Sequence, residues 1–193
     1  MPRRRPLIIV LAITLVASTF GGWALSRSNG TQLDVELDTP GTFDAPGGGI
    51  PTAPAIQGDP LPDLTVKSLT GDDVTLRSLI GQPMVINVWY SSCVPCAKEL
   101  PAFGSVHRAI GEQVRFVGLN PQDSAAKAEK FARDAGADYE ILLDQSPGIS
   151  ATLQLGVFPA TLLVNAAGQI VELHQGPLSA DALRRLITEN LGI

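Results

Sequence analysis

Cys93 and Cys96 are the only cysteines in the chain, and they stand where an apolar strand gives way to a helix. Two cysteines this close together cannot staple distant segments, so the fold must be held by a packed core rather than by cross-links. The composition allows one, since 45% of the residues are hydrophobic and 17% charged. The run from Pro83 to Trp89 (PMVINVW) is continuously apolar apart from Asn87, as expected of a strand covered on both faces. A chain that places a helix start directly after such a strand belongs to the α/β class.

The surrounding pattern agrees. Val74 to Leu76 reads as a short strand, a helix is expected from about Cys96 to Ile110, and Val114 to Leu119 forms the next strand. Asp123 is expected to cap an Ala- and Lys-rich helix ending at Gly136. Ile141 to Leu143 is strand-like, and a short helix around Ile149 to Leu153 leads to Pro159. A strand from Thr161 to Val164 turns through Ala166-Ala167-Gly168 into another from Gln169 to His174. Ser179 then opens an amphipathic helix to Leu191. The expected architecture is a central mixed sheet flanked by helices on both faces.

The front of the chain has a different character. Residues 1–6 form a basic end with Arg3, Arg4 and Arg5, and residues 7–25 are uncharged and apolar. That run approaches the ~20 residues a membrane-spanning helix needs. The arginines before it put the N-terminus in the cytoplasm and the remainder outside. A cleavable signal peptide is the alternative, with Gly22-Trp23-Ala24 supplying small residues at the two inspected positions. Residues 26–57, rich in Gly and Pro with Gly47-Gly48-Gly49 and prolines at 40, 46, 51 and 54, read as a flexible linker to a domain over 58–193. Nucleic acid is excluded as a partner: 14 basic against 19 acidic residues leave no basic stripe beyond the first five positions.

A cysteine at a helix start has a definite chemistry. Free backbone N–H groups and the helix dipole stabilise a thiolate on Cys93, and Pro95 falls in the first turn, where its missing N–H is not needed. Cys93 is the expected exposed nucleophile and Cys96 the more buried resolving thiol, so that the pair opens a partner's disulfide and then releases the partner. Half of a zinc or copper site is the competing reading. It needs further ligands, and His107 and His174 do not form a ligand-like pair, so no metal is expected. A purely structural disulfide is disfavoured, because closing so short a loop removes little chain entropy.

The segment Trp89-Tyr90-Ser91-Ser92-Cys93-Val94-Pro95-Cys96-Ala97-Lys98-Glu99-Leu100-Pro101 resembles the active-site segment of TlpA/ResA-type thioredoxin-like proteins. Pro60 to Leu64 and Gly71 to Leu76 resemble that family's opening strands. Leu142-Leu143-Asp144, Phe158-Pro159-Ala160-Thr161 and Gly176-Pro177-Leu178 resemble its later landmarks, so the likeness covers about 58–193. It implies a thioredoxin-like fold behind a transmembrane helix or signal sequence, and a membrane-anchored or exported thiol-disulfide oxidoreductase. It also implies that Pro159 is a cis-proline whose loop, with Phe158, receives a partner strand, that Trp89 lies beside the site, and that Pro101 bends the first helix. Asn87 stands where cytoplasmic thioredoxins carry a buried Asp; Glu99 matches a family glutamate that takes over its proton transfer.

The expected clients are thiols and disulfides of exported proteins, apocytochrome c among them, with a membrane thiol-reductant donor to recharge the pair. No cofactor is expected beyond the redox-active Cys93–Cys96 disulfide. Ser92 replaces a common tryptophan and Phe158 a smaller residue, which leaves the direction of reaction open. A disulfide-forming oxidase or isomerase is the alternative, followed by a copper carrier; a peroxidase does not explain the match over the whole domain.

Overall fold

The computed structural model describes residues 56–144 and 148–193. The apolar run 7–25, expected as anchor or leader, and all but the last two residues of the linker expected over 26–57 lie outside the described residues. Among the described residues no helix is long and apolar enough to cross a membrane.

Chain order gives β1 (Thr65–Ser68), β2 (Asp73–Thr75), a 3-10 turn (Leu76–Leu79), β3 (Met84–Val88), α1 (Val94–Ile110), β4 (Arg115–Asn120) and α2 (Ala125–Asp134). There follow β5 (Glu140–Leu143), α3 (Ile149–Thr152), β6 (Ala160–Val164), β7 (Ile170–Gln175) and α4 (Ala180–Leu191). Among the described residues the strands form one mixed sheet in the order β2-β1-β5-β4-β3-β6-β7. β3 runs parallel to β4 and β4 to β5, each pair joined through a helix, while β6 lies antiparallel to β3 and β7 antiparallel to β6.

Strand alternation divides the core in two. Val85 and Trp89, with Phe116 and Leu163, point to the side covered by α1, α2 and α4, where they meet Leu100, Phe103, Ala128, Leu183 and Ile187. Met84, Ile86 and Val88 point the other way, into a cluster closed by Leu61, Leu76, Leu79 and Ile149. The sheet is thus covered on both faces as expected, but the three long helices share one of them. The opposite face is closed by the N-terminal segment, the 3-10 turn and the short α3.

Several boundaries differ from the sequence reading for local reasons. Pro60 to Leu64 does not form a strand: Pro60 bridges Gln169, the Leu61 N–H donates to the Gly168 carbonyl and the Leu64 carbonyl accepts from the Leu76 N–H, but prolines at 60 and 62 cannot donate to a ladder; β1 starts at Thr65. Leu76 belongs to the 3-10 turn rather than to β2. Packing begins before residue 58: Ile56 is buried and Gln57 donates to Glu172 at 2.8 Å. Ser124, not Asp123, occupies the N-cap of α2, since the Asp123 carboxylate is engaged elsewhere, and the helix stops at Asp134, two residues before Gly136. Ser179 does cap α4, accepting from the Ala182 N–H.

Pro101 lies inside α1, which runs on to Ile110 rather than ending there. Farther along the same helix, Gly104 permits a close approach: a Cβ there would run into the Gly136 carbonyl oxygen.

Candidate active site

Cys93 is the N-cap of α1, placed there because β3 ends at Val88 and the chain turns through Tyr90-Ser91-Ser92. Its N–H donates to the Tyr90 carbonyl at 3.1 Å, and its Sγ accepts from the Cys96 N–H at 3.2 Å. Cys93 and Cys96 are bonded, with an S–S distance of 2.02 Å and Cα atoms 5.2 Å apart. The expectation of an exposed Cys93 needs correction. It is 5% exposed against 0% for Cys96, because Cys93 sits in the same apolar cluster as Trp89, Leu100 and Phe103, with Tyr90 and Phe158 packed on that cluster. The ranking of the two is as expected, and the neighbouring Val94, 66% exposed, and Pro95 face solvent.

The loop before β6 closes on this end of the sheet. The Phe158–Pro159 bond is cis, Pro159 is buried, and its carbonyl accepts from the Gly176 N–H at 2.8 Å. The Phe158 ring meets Tyr90 edge-on at 5.4 Å, which joins the proline loop to the turn leading into Cys93. Trp89 is fully buried and stacks on Phe131 at 5.7 Å. Its indole lies over Gly118, where a Cβ would come within 2.8 Å of Nε1. Core packing accounts for its position.

Glu99 lies three residues beyond Cys96, on the same side of α1. It is no solvated helix charge, being 2% exposed. Asn87 Nδ2 donates to Oε1 at 2.8 Å and the Leu178 N–H to Oε2 at 3.0 Å. Burial pushes the carboxyl up, these two hydrogen bonds pull it partly back, and it comes to rest at about 7. A carboxyl of that pKa can take or give a proton near neutral pH.

Two parts of the surroundings were not legible as site residues. Tyr139, just ahead of β5, donates from its hydroxyl to Asn87 Oδ1 at 3.2 Å. Asp123 is 4% exposed, and its carboxylate accepts from the Ser91 N–H at 2.7 Å, the Ser91 hydroxyl at 2.6 Å, Asn120 Nδ2 at 2.9 Å and Lys127 Nζ at 2.8 Å. It thereby pins the turn ahead of Cys93. Burial raises the Asp123 carboxyl, but the hydrogen bonds from Lys127, Ser91 and Asn120 outweigh it and hold it well below the ordinary range. Only the polar tract Asn120-Pro121-Gln122-Asp123 after an apolar strand hinted at such a loop, and it reads equally as a cap.

His107 packs edge-on against Phe116 and Tyr139 and pairs with Asp138 at 3.3 Å. Among the described residues no cluster of three or more His, Cys, Asp or Glu side chains is placed to hold a metal ion.

The model of the AhpC/TSA family matches residues 57–173. The thioredoxin-like protein YneN of Bacillus subtilis strain 168 is 29% identical over 127 residues, which is 64% of this chain and 74% of YneN. The thiol-disulfide oxidoreductase ResA of Halalkalibacterium halodurans is 25% identical over 123 residues, 63% of this chain and 70% of ResA. Among solved structures, MTB dsbF, in its mixed oxidised and reduced forms, superposes with a TM-score of 0.60 at 27% identity, over 67% of this chain and 98% of dsbF.

Proposed function

The chain belongs to the AhpC/TSA family, and we propose that it acts outside the cytoplasm, reducing disulfides of exported proteins through Cys93 and Cys96. It is a thiol-disulfide oxidoreductase of the ResA type, with a thioredoxin-like mixed sheet and a bonded cysteine pair. The observation that carries the reading is that pair at the N-terminus of α1, one turn from a buried carboxyl poised near neutrality.

In the reduced protein the Cys93 thiolate, stabilised by the helix N-terminus and the Cys96 N–H, attacks one sulfur of a client disulfide. A Cys93–client bond forms, and the other client sulfur leaves as a thiolate that takes up a proton. Glu99 then accepts the Cys96 proton. The resulting Cys96 thiolate attacks Cys93 sulfur, the client's second thiolate departs, and the intramolecular disulfide seen here is left behind. Two electrons have passed to the client. A membrane thiol-reductant donor returns two electrons to the pair.

Phe158 and cis-Pro159 form the loop against which the client strand lies, with Pro95 between the two cysteines and Trp89 ahead of them as neighbours of the site. The location rests on the leader, and the reductive direction on the leader together with the likeness to the ResA type: an anchor over 7–25 and a linker over 26–57 would hold the domain at the outer face of the plasma membrane, where apocytochrome c is a suitable client. A linker of some 30 residues reaches on the order of 90 Å when extended.

The reduction potential of the Cys93–Cys96 pair tests the direction, by equilibrating the full chain with glutathione or dithiothreitol. A value well below about −220 mV supports the reductase. A value near about −120 mV refutes it and makes the protein a disulfide-forming enzyme.

A further inference from the structure

Both hydrogen bonds to the Glu99 carboxyl come from nitrogen, one from the fixed backbone of Leu178 and one from the Asn87 side chain. A backbone N–H can only donate. An amide side chain can present either end, since its oxygen and NH2 have nearly the same shape. What holds Asn87 with its NH2 toward Glu99 is the residue on its other side. The Tyr139 hydroxyl, itself buried, donates to Asn87 Oδ1. Were the amide reversed, NH2 would confront the phenol, and the buried phenolic proton would lose its acceptor. Hydrogen bonds therefore run one way, from phenol to amide to carboxylate.

We propose that Tyr139 and Asn87 are positioning residues for Glu99: the phenol locks the amide with its NH2 toward the carboxyl, which favours the ionised, proton-accepting form of Glu99 against the pull of burial. This rests on Glu99 being the acid–base group of exchange. A reversed amide would offer a lone pair to the carboxyl and favour the protonated form, which cannot accept the Cys96 proton.

The charged and titratable surroundings are compatible with this one-way chain. On α1 these are the exposed Lys98 beside Glu99 and, near its end, His107 and Arg108, which pair with Asp138; the bonded Cys93 and Cys96 do not titrate. Ahead of β5 stand Asp138 and Tyr139, while β3 contributes the neutral Asn87 and the segment before α4 the Leu178 N–H. Burial, then the charges of Glu99 and Asp138, push the Tyr139 phenol well above its ordinary range, so it remains a donor wherever Glu99 titrates.

Carboxyl carbon NMR on the full-length, disulfide-bonded protein follows Glu99 directly, in wild type and in Tyr139→Phe. The variant loses one hydroxyl, and its Glu99 midpoint is expected to rise by about half a pH unit, about a threefold fall in the acid constant. In wild type the two Asn87 side-chain NH2 signals and the Leu178 amide proton are expected to titrate with the Glu99 midpoint. An unchanged midpoint in Tyr139→Phe overturns the proposal. So do Asn87 NH2 signals that ignore the Glu99 titration, a test that needs no variant to fold. Failure of the acid–base reading appears separately, as an unchanged pH profile of disulfide exchange in Glu99→Gln.

Discussion

Replacing Glu99 by Gln should change how the stability of the oxidised protein depends on pH. Glu99 has its carboxyl raised from 4.5 to about 7 by burial, so the folded protein holds a proton there that the unfolded chain has already lost. Such a group contributes its full stability below pH 4.5 and loses it as pH rises through 7. At ~1.4 kcal/mol for each pH unit between the two values, the whole loss is about 3 kcal/mol, of which about 2.5 kcal/mol falls between pH 5 and pH 8.5. Glutamine has no proton to lose. It also offers one oxygen to the two N–H donors of Asn87 and Leu178, which costs about 1–3 kcal/mol at every pH. Urea unfolding of both proteins at pH 5 and pH 8.5 separates the two effects. Wild type should be the more stable at pH 5, and its advantage should shrink or reverse by about 2.5 kcal/mol at pH 8.5. Working with the disulfide intact removes the thiols from the titration, and Asp123, Asp138 and Asp144 cancel in the difference. A wild-type advantage that is the same at both pH values would refute the claim that Glu99 is the raised, buried carboxyl.

Cys96→Ser should accumulate mixed disulfides with clients through Cys93, while Cys93→Ser captures none; equal trapping on non-reducing gels would reverse or abolish the assigned roles. Asp123→Ala strands the Ser91 N–H and hydroxyl and should destabilise the protein by about 2–3 kcal/mol. Because the Asp123 carboxyl is depressed, its stabilisation is present above pH 4 and lost as pH falls, so the variant's deficit in urea melts should shrink on acidification; a deficit that persists at low pH argues against the carboxylate as its source. Gly104→Ala places a methyl group against the Gly136 carbonyl, and thermal melts should show a loss of about 1–3 kcal/mol; no loss would mean that α1 and the Gly136 turn separate freely.

From β2 onward the order of strands and helices, like the class of the fold and the place of the two cysteines, was legible because each depends on neighbours along the chain, whereas β1 at Thr65–Ser68 was not singled out. Continuous apolar character marked β3, Ser179 marked the start of α4, and two intervening residues let the sulfurs meet within one turn. Resemblance pointed to Pro159 and Glu99 but carried no account of what surrounds them. Asp123 shows where local reading fails: by sequence it is a helix cap, yet its oxygens turn to Ser91, 32 positions earlier, and the cap passes to Ser124.

The same limit governs the chemistry. Sequence by itself determined that a dithiol sits at a helix start, since a motif and its flanking periodicity are contained in a few consecutive residues. Only tertiary structure decided that Cys93 is largely covered and that Glu99 is dry. It also decided that Glu99 is wired to donors from Asn87, Leu178 and, through Asn87, Tyr139. Desolvation is the work of every segment packed around a group, and here the Leu178 N–H arrives from 79 residues away.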